Sequence, residues 1–163
     1  MMIKRSAAMG RSGALTLEAA VVYPLMLTLV FMIIIGGMGV FRYQQVACQA
    51  REAARWAAVR GSDWRKETGQ TYPTSANILQ QAVLPLAAGM NTNNLSMQVQ
   101  WVDQVSGQVV DWDSASKYPV SVTAANQGVT NRIRVTVTYQ WTPELFLVGC
   151  IRLQSTSEMP MCY

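Results

Sequence analysis

The stretch Gly13-Ala14-Leu15-Thr16-Leu17-Glu18 runs directly into AAVVYPLMLTLVFMIIIGGMGVF, residues 19–41. These 23 residues carry no charge, and a spanning helix needs about 20 predominantly apolar residues. The run exceeds the roughly 7–15 apolar residues of a cleaved secretory signal, so it reads as a retained membrane anchor. Lys4, Arg5 and Arg11 precede it closely with no acid among them. By the positive-inside tendency the N-terminus stays in the cytoplasm and the C-terminal part lies outside. Arg42, Arg51, Arg55 and Arg60 follow the run, so the charge bias is uneven.

The whole chain has 163 residues, enough for one domain and an accessory segment. Half of them are hydrophobic and 13% are charged, against about 25% in an average soluble domain. That composition argues against disorder. The net charge of +4 comes from 13 Lys and Arg against nine Asp and Glu. Residues 1–66 hold nine bases and three acids, whereas residues 67–163 hold four bases and six acids. The C-terminal part therefore has no basic patch, and no nucleic-acid-binding motif accompanies the N-terminal charge. No nucleic acid is expected as a partner.

The chain has no histidine. This excludes a Ser-His-Asp or Cys-His nucleophile system and a histidine-ligated metal. Three cysteines are one short of a tetrahedral all-cysteine zinc site. Asp111 and Asp113 lack the further oxygen ligands and closing glutamate of a calcium loop. No metal, no cofactor and no enzymatic activity are expected.

Glu18 is the acid at the lip of the apolar run. A carboxylate at a helix N-terminus is favoured by the macrodipole, which explains an acid near this point. It leaves unexplained a short basic leader that ends in Gly13, five residues earlier. Glycine, alanine, three residues and glutamate, followed by an aliphatic run with Pro24, resemble the cleavage site of type IV prepilins. More narrowly, the junction resembles the TadE-like family, the minor pilins or pseudopilins of Tad (Flp) pilus systems. The resemblance is best over residues 11–61 and returns more weakly at 132–158. Ala19 stands where many relatives carry an aromatic residue.

The resemblance implies that a prepilin peptidase cuts between Gly13 and Ala14, making Glu18 the fifth residue of the mature chain. It implies that Glu18 meets the freed amine of Ala14 on a neighbouring subunit and so sets the register between subunits. A carboxylate inside a bilayer is costly and usually paired or functional. Implied partners are the prepilin peptidase, other pilin or pseudopilin subunits, the pilus assembly platform and membrane lipid. The implied location is the bacterial inner membrane, with the C-terminal domain outside or carried into an extracellular pilus.

Beyond Arg42 the chain stays rich in Ala, Gln and Arg, good helix formers, up to the stop signal Gly61-Ser62-Asp63. Tyr43, Val46, Ala47, Ala50, Ala53, Ala54 and Ala57 fall on one face, with Gln45, Gln49, Arg51, Glu52 and Arg55 opposite. A helix over residues 16–60 is thus expected to span the membrane with its first half and pack on a sheet with its second. Residues 62–74 read as a connection, and Ser75 to Ala88 as a second helix capped by Ser75 and stopped by Gly89. Strands are expected at Leu95 to Val102, Gln108 to Trp112, Val120 to Thr123, Arg132 to Trp141 and Cys150 to Ser157. Trp101, Trp112 and Trp141 read mainly as packing residues.

The fold class is therefore α+β and pilin-like: a long N-terminal helix on a small antiparallel sheet, with a second short helix. The expected organisation is a leader at 1–13, a transmembrane helix at 14–41, its continuation at 42–61 and an extracytoplasmic head at 62–163. In an oxidising compartment Cys150 and Cys162 are the favoured disulfide pair, with Cys48 free or intermolecular. Pairing of Cys48 with either of the others stays open, as does a set of three free thiols. The functional expectation is a structural subunit that primes, caps or decorates a Tad-type filament. The alternative is an ordinary single-pass membrane protein whose outer domain binds a partner.

Overall fold

The computed structural model describes residues 9–114, 121–124, 127–143 and 149–162. The fold is α+β, with a long N-terminal helix packed against a four-stranded antiparallel sheet. Helix α1 (Met9–Ala58) comprises 50 residues. The chain divides into two compact units, Met1–Gly39 and Val40–Tyr163.

In the first unit α1 is apolar on every side. Leu15, Leu17, Leu25, Met32 and Ile33 are all exposed, and its best 18-residue window has a mean hydropathy of 2.4. A helix hydrophobic all round needs an apolar surround, and this one is long enough to cross a bilayer. Pro24 lies within it and removes one backbone donor from the helical ladder. The Thr28 hydroxyl donates back to the Pro24 carbonyl at 2.7 Å.

In the second unit the alanine face of α1 is the floor of the core. Val46, Ala50, Ala53, Ala54 and Ala57 are fully buried, with Ala47 and Ala58 nearly so. Small side chains let the backbone of the helix approach its neighbours closely. Tyr43, expected on this face, is instead exposed. Gln49, expected on the polar side, is fully buried. It lies three residues after Val46 and four before Ala53, so helical spacing puts it on the core face whatever its polarity.

The segment 62–74 is not only a connection. It contains helix α2 (Ser62–Thr68), which stops at Gly69 with φ of 68°. In that left-handed conformation glycine has no Cβ penalty. Helix α3 (Ser75–Ile78) continues through a π-helical turn (Leu79–Val83) and a 3-10 turn (Leu84–Leu86). Its cap is Thr74, not Ser75: the Thr74 hydroxyl accepts from the Asn77 N–H at 3.3 Å. Pro85 falls in the closing 3-10 turn, where its missing N–H costs least. Gly89, with φ of 68°, ends the segment.

The main sheet has the order β2-β1-β5-β6, from β1 (Leu95–Val102), β2 (Val109–Asp111), β5 (Arg132–Trp141) and β6 (Ile151–Pro160). All its pairings are antiparallel. Strands β3 (Ser121–Ala124) and β4 (Gln127–Thr130) form a separate pair, of which the sequence suggests only the first. Strand β5 is central and alternates as expected: Ile133, Val135, Val137, Tyr139 and Trp141 are buried. Strand β6 extends beyond Ser157 to Pro160, matching β5 residue for residue from Trp141↔Ile151 to Arg132↔Pro160. On the other face Thr136 and Thr156 share a hydrogen bond of 3.0 Å, and Arg134 pairs with Glu158. Trp101, Trp112 and Trp141 are all buried, and the first two rings lie 5.6 Å apart.

Candidate functional site

Gly13, Ala14 and Glu18 all lie in α1 and are all exposed. Ala14 and Glu18 are one helical turn apart, at a spacing that puts both on the same face. Among the described residues nothing lies within 4 Å of the position a side chain would take at Gly13. Among the described residues Glu18 has no ion-pair partner. The carboxylate is thus displayed on the helix surface near the start of its apolar stretch.

Cys150 and Cys162 are not brought together, and the favoured pairing is corrected. Ten residues of extended strand β6 stand between them. At about 3.3 Å per residue such a strand spans some 30 Å, whereas a disulfide needs Cα atoms within about 7 Å. All three cysteines are free and exposed. The Cys150 thiol donates to Gln140 Oε1 at 3.2 Å, and the Cys162 thiol lies 3.6 Å from the Pro160 carbonyl. Cys48 is on the outer side of α1, as its helical position indicates.

Asp111 and Asp113 shape local backbone. Asp111 Oδ1 accepts from the Asp113 N–H at 3.0 Å. Asp113 Oδ1 accepts from the Ser75 N–H at 2.9 Å, and its other oxygen from the Ser75 hydroxyl. The head of α3 is therefore capped twice, once by its own Thr74 and once by Asp113, two residues beyond the end of β2.

Sequence reasoning missed a cleft of about 500 Å³ where α1 ends and α2 begins. Trp56, Arg60 and Trp64 contribute to its lining at intervals of four residues. Gln70, Thr71, Pro73, Asn77 and Gln81 complete it. The Arg60 guanidinium lies over the Trp56 ring, 3.8 Å from its centroid, and donates to the Trp56 carbonyl at 3.0 Å. Burial pushes the Arg60 guanidinium below its ordinary value. The Pro73 carbonyl is fixed by the buried Trp112 Nε1–H at 2.7 Å. The only advance signal was the Trp-x3-Arg-x3-Trp spacing across the helix stop.

No curated protein and no solved structure gives a significant match to the chain. A family model described as TadE-like protein matches residues 13–55. The match begins at Gly13, takes in Glu18 and the whole apolar run, and ends within the alanine face. Over residues 13–55, about a quarter of its length, the chain is therefore similar to TadE-like proteins.

Proposed function

We propose that the protein is a minor pilin or pseudopilin, a structural subunit that primes, caps or decorates a filament of the Tad type. The carrying observation is the TadE-like match over residues 13–55, which opens on Gly13 and contains Glu18 five residues further on. The helix, apolar all round in its first unit, supports a membrane anchor. In this reading a prepilin peptidase cuts after Gly13 on the cytoplasmic side. The new amine of Ala14 then meets Glu18 of an adjacent subunit, which offsets the cost of a carboxylate in the bilayer. Pilin subunits and the assembly platform are the partners, and the head from residue 62 lies outside the cytoplasm.

The test is the intact mass of membrane-extracted protein made with and without the prepilin peptidase. The expected result is a peptidase-dependent mass corresponding to residues 14–163. Full-length mass in both samples overturns the proposal and leaves a single-pass anchored binding protein. A Glu18→Ala protein that is processed and still incorporated normally overturns the role of the carboxylate alone.

A further inference from the structure

The cleft at the end of α1 is built from a mixture that no structural duty uses up. Arg60 spends one of its five donors on the Trp56 carbonyl. Among the described residues it has no carboxylate partner. Its position is nonetheless fixed, by that bond and by the Trp56 ring beneath it. An arginine held this way pays little further entropy on meeting an anion, and its planar fork suits a carboxylate. Trp64 is half-buried, leaving indole surface at the wall.

The remaining lining is neutral and doubly capable. Gln70, Asn77 and Gln81 are exposed carboxamides, and Thr71 adds a hydroxyl. Each both donates and accepts. Such groups match ligands whose hydroxyls also do both. An indole face beside them matches the C–H face of a pyranose ring, since indole is apolar in body and polar at one edge. The wall is rigid, because Pro73 is tied to Trp112 and α3 is capped by Asp113.

We infer that this cleft binds an acidic saccharide, its carboxylate on Arg60, its ring against Trp64 and its hydroxyls on the carboxamides of Gln70, Asn77 and Gln81. An acidic peptide supplies the carboxylate, and its backbone amides also pair with carboxamides, but an acidic side chain has no ring with a C–H face to lie against the Trp64 indole. The inference stands apart from the filament proposal, since the residues that line the cleft lie between 56 and 81.

The experiment titrates the full-length, detergent-solubilised protein with trigalacturonic acid, maltotriose and hexaglutamate, by calorimetry and tryptophan fluorescence. Expected are saturable binding of trigalacturonic acid, at least tenfold weaker binding of maltotriose, and weaker binding still of hexaglutamate. Arg60→Gln lowers affinity for trigalacturonic acid at least tenfold. Should Arg60→Gln disturb the fold, the exposed Asn77→Ala/Gln81→Ala double variant decides, with an expected loss of severalfold. Absence of saturation, undiminished affinity in a folded variant, or hexaglutamate binding as tight as the sugar each overturns the inference. The last of these assigns the cleft to acidic peptide.

Discussion

The Cys162 backbone N–H donates to the Ala58 carbonyl at 2.9 Å, so the end of the chain is tied to the last turn of α1. The Met161 N–H donates to the Asn131 carbonyl at the same distance, and the Met161 side chain is 2% exposed. The tail thus satisfies a helix-terminal carbonyl that α1 itself leaves open. Met161→Ala should destabilise the head by about 2–5 kcal/mol, the usual cost of a buried Met truncation. Chemical denaturation followed by far-UV circular dichroism checks this, and a loss under about 1 kcal/mol contradicts it.

Gln49 gives the opposite sign. Among the described residues its buried Oε1 has no hydrogen-bond partner, and its Nε2 reaches only the Met90 sulfur, at 3.5 Å. A buried amide so poorly satisfied costs about 1–3 kcal/mol. Gln49→Met, close in volume and apolar, should raise stability by about 1 kcal/mol, seen as a higher melting temperature. An unchanged or lower melting temperature counts against the assignment.

Trp112 is the hinge between sheet and cleft. Trp112→Phe keeps an aromatic ring but removes the donor to the Pro73 carbonyl. The loss should be about 1–3 kcal/mol, because a buried carbonyl is left unpaired. Crystallography or amide exchange should show the change concentrated in the segment around Pro73. An effect confined to the Trp101 side of the ring refutes this account.

The Asp103 carboxyl sits in the turn after β1. It accepts from the Ser106 hydroxyl at 2.6 Å and from the Val105 N–H at 3.0 Å. These bonds favour the ionised form and hold its pKa below the ordinary 3.8. A depressed native pKa contributes stability above the unfolded pKa, and that stability is lost as pH falls through the native value. Melting temperature should therefore fall below about pH 4, and Asp103→Asn should flatten that fall. A profile unchanged by the substitution speaks against the turn as its source.

Much of this was open to a reader of the sequence, for identifiable reasons. Strand β5 shows strict alternation from Ile133 to Trp141, and its limits match. The alanine face follows from spacing alone. The errors come where two signals compete. At Gln49 polarity points to solvent, whereas its spacing from Val46 and Ala53 puts it in the core. Helix α2 is short and polar, so it has no hydrophobic period to read, and Gly69 and Pro73 suggested a loop. The second cap of α3 comes from Asp113, 38 residues away along the chain, and no local pattern shows such a bond. Cys150 and Cys162 are near in sequence but far apart in space, because the segment between them is the extended strand β6. In the candidate sites, Gly13 and Glu18 were legible as a motif. The cleft was not, because its two sides meet only after α1 has turned into α2.

The bond between Gly13 and Ala14 lies inside α1, which is already helical from Met9. A peptide bond in a helix is shielded by its own ladder, so an enzyme that cuts there needs that turn opened first. Glycine costs a helix about 1 kcal/mol relative to alanine, which makes this turn roughly fivefold easier to open than one with alanine in its place. Under the proposed processing Gly13 acts twice, as a small residue at the cut and as a weak link in a long spring. Gly13→Ala closes the second route while changing the first by a single methyl group.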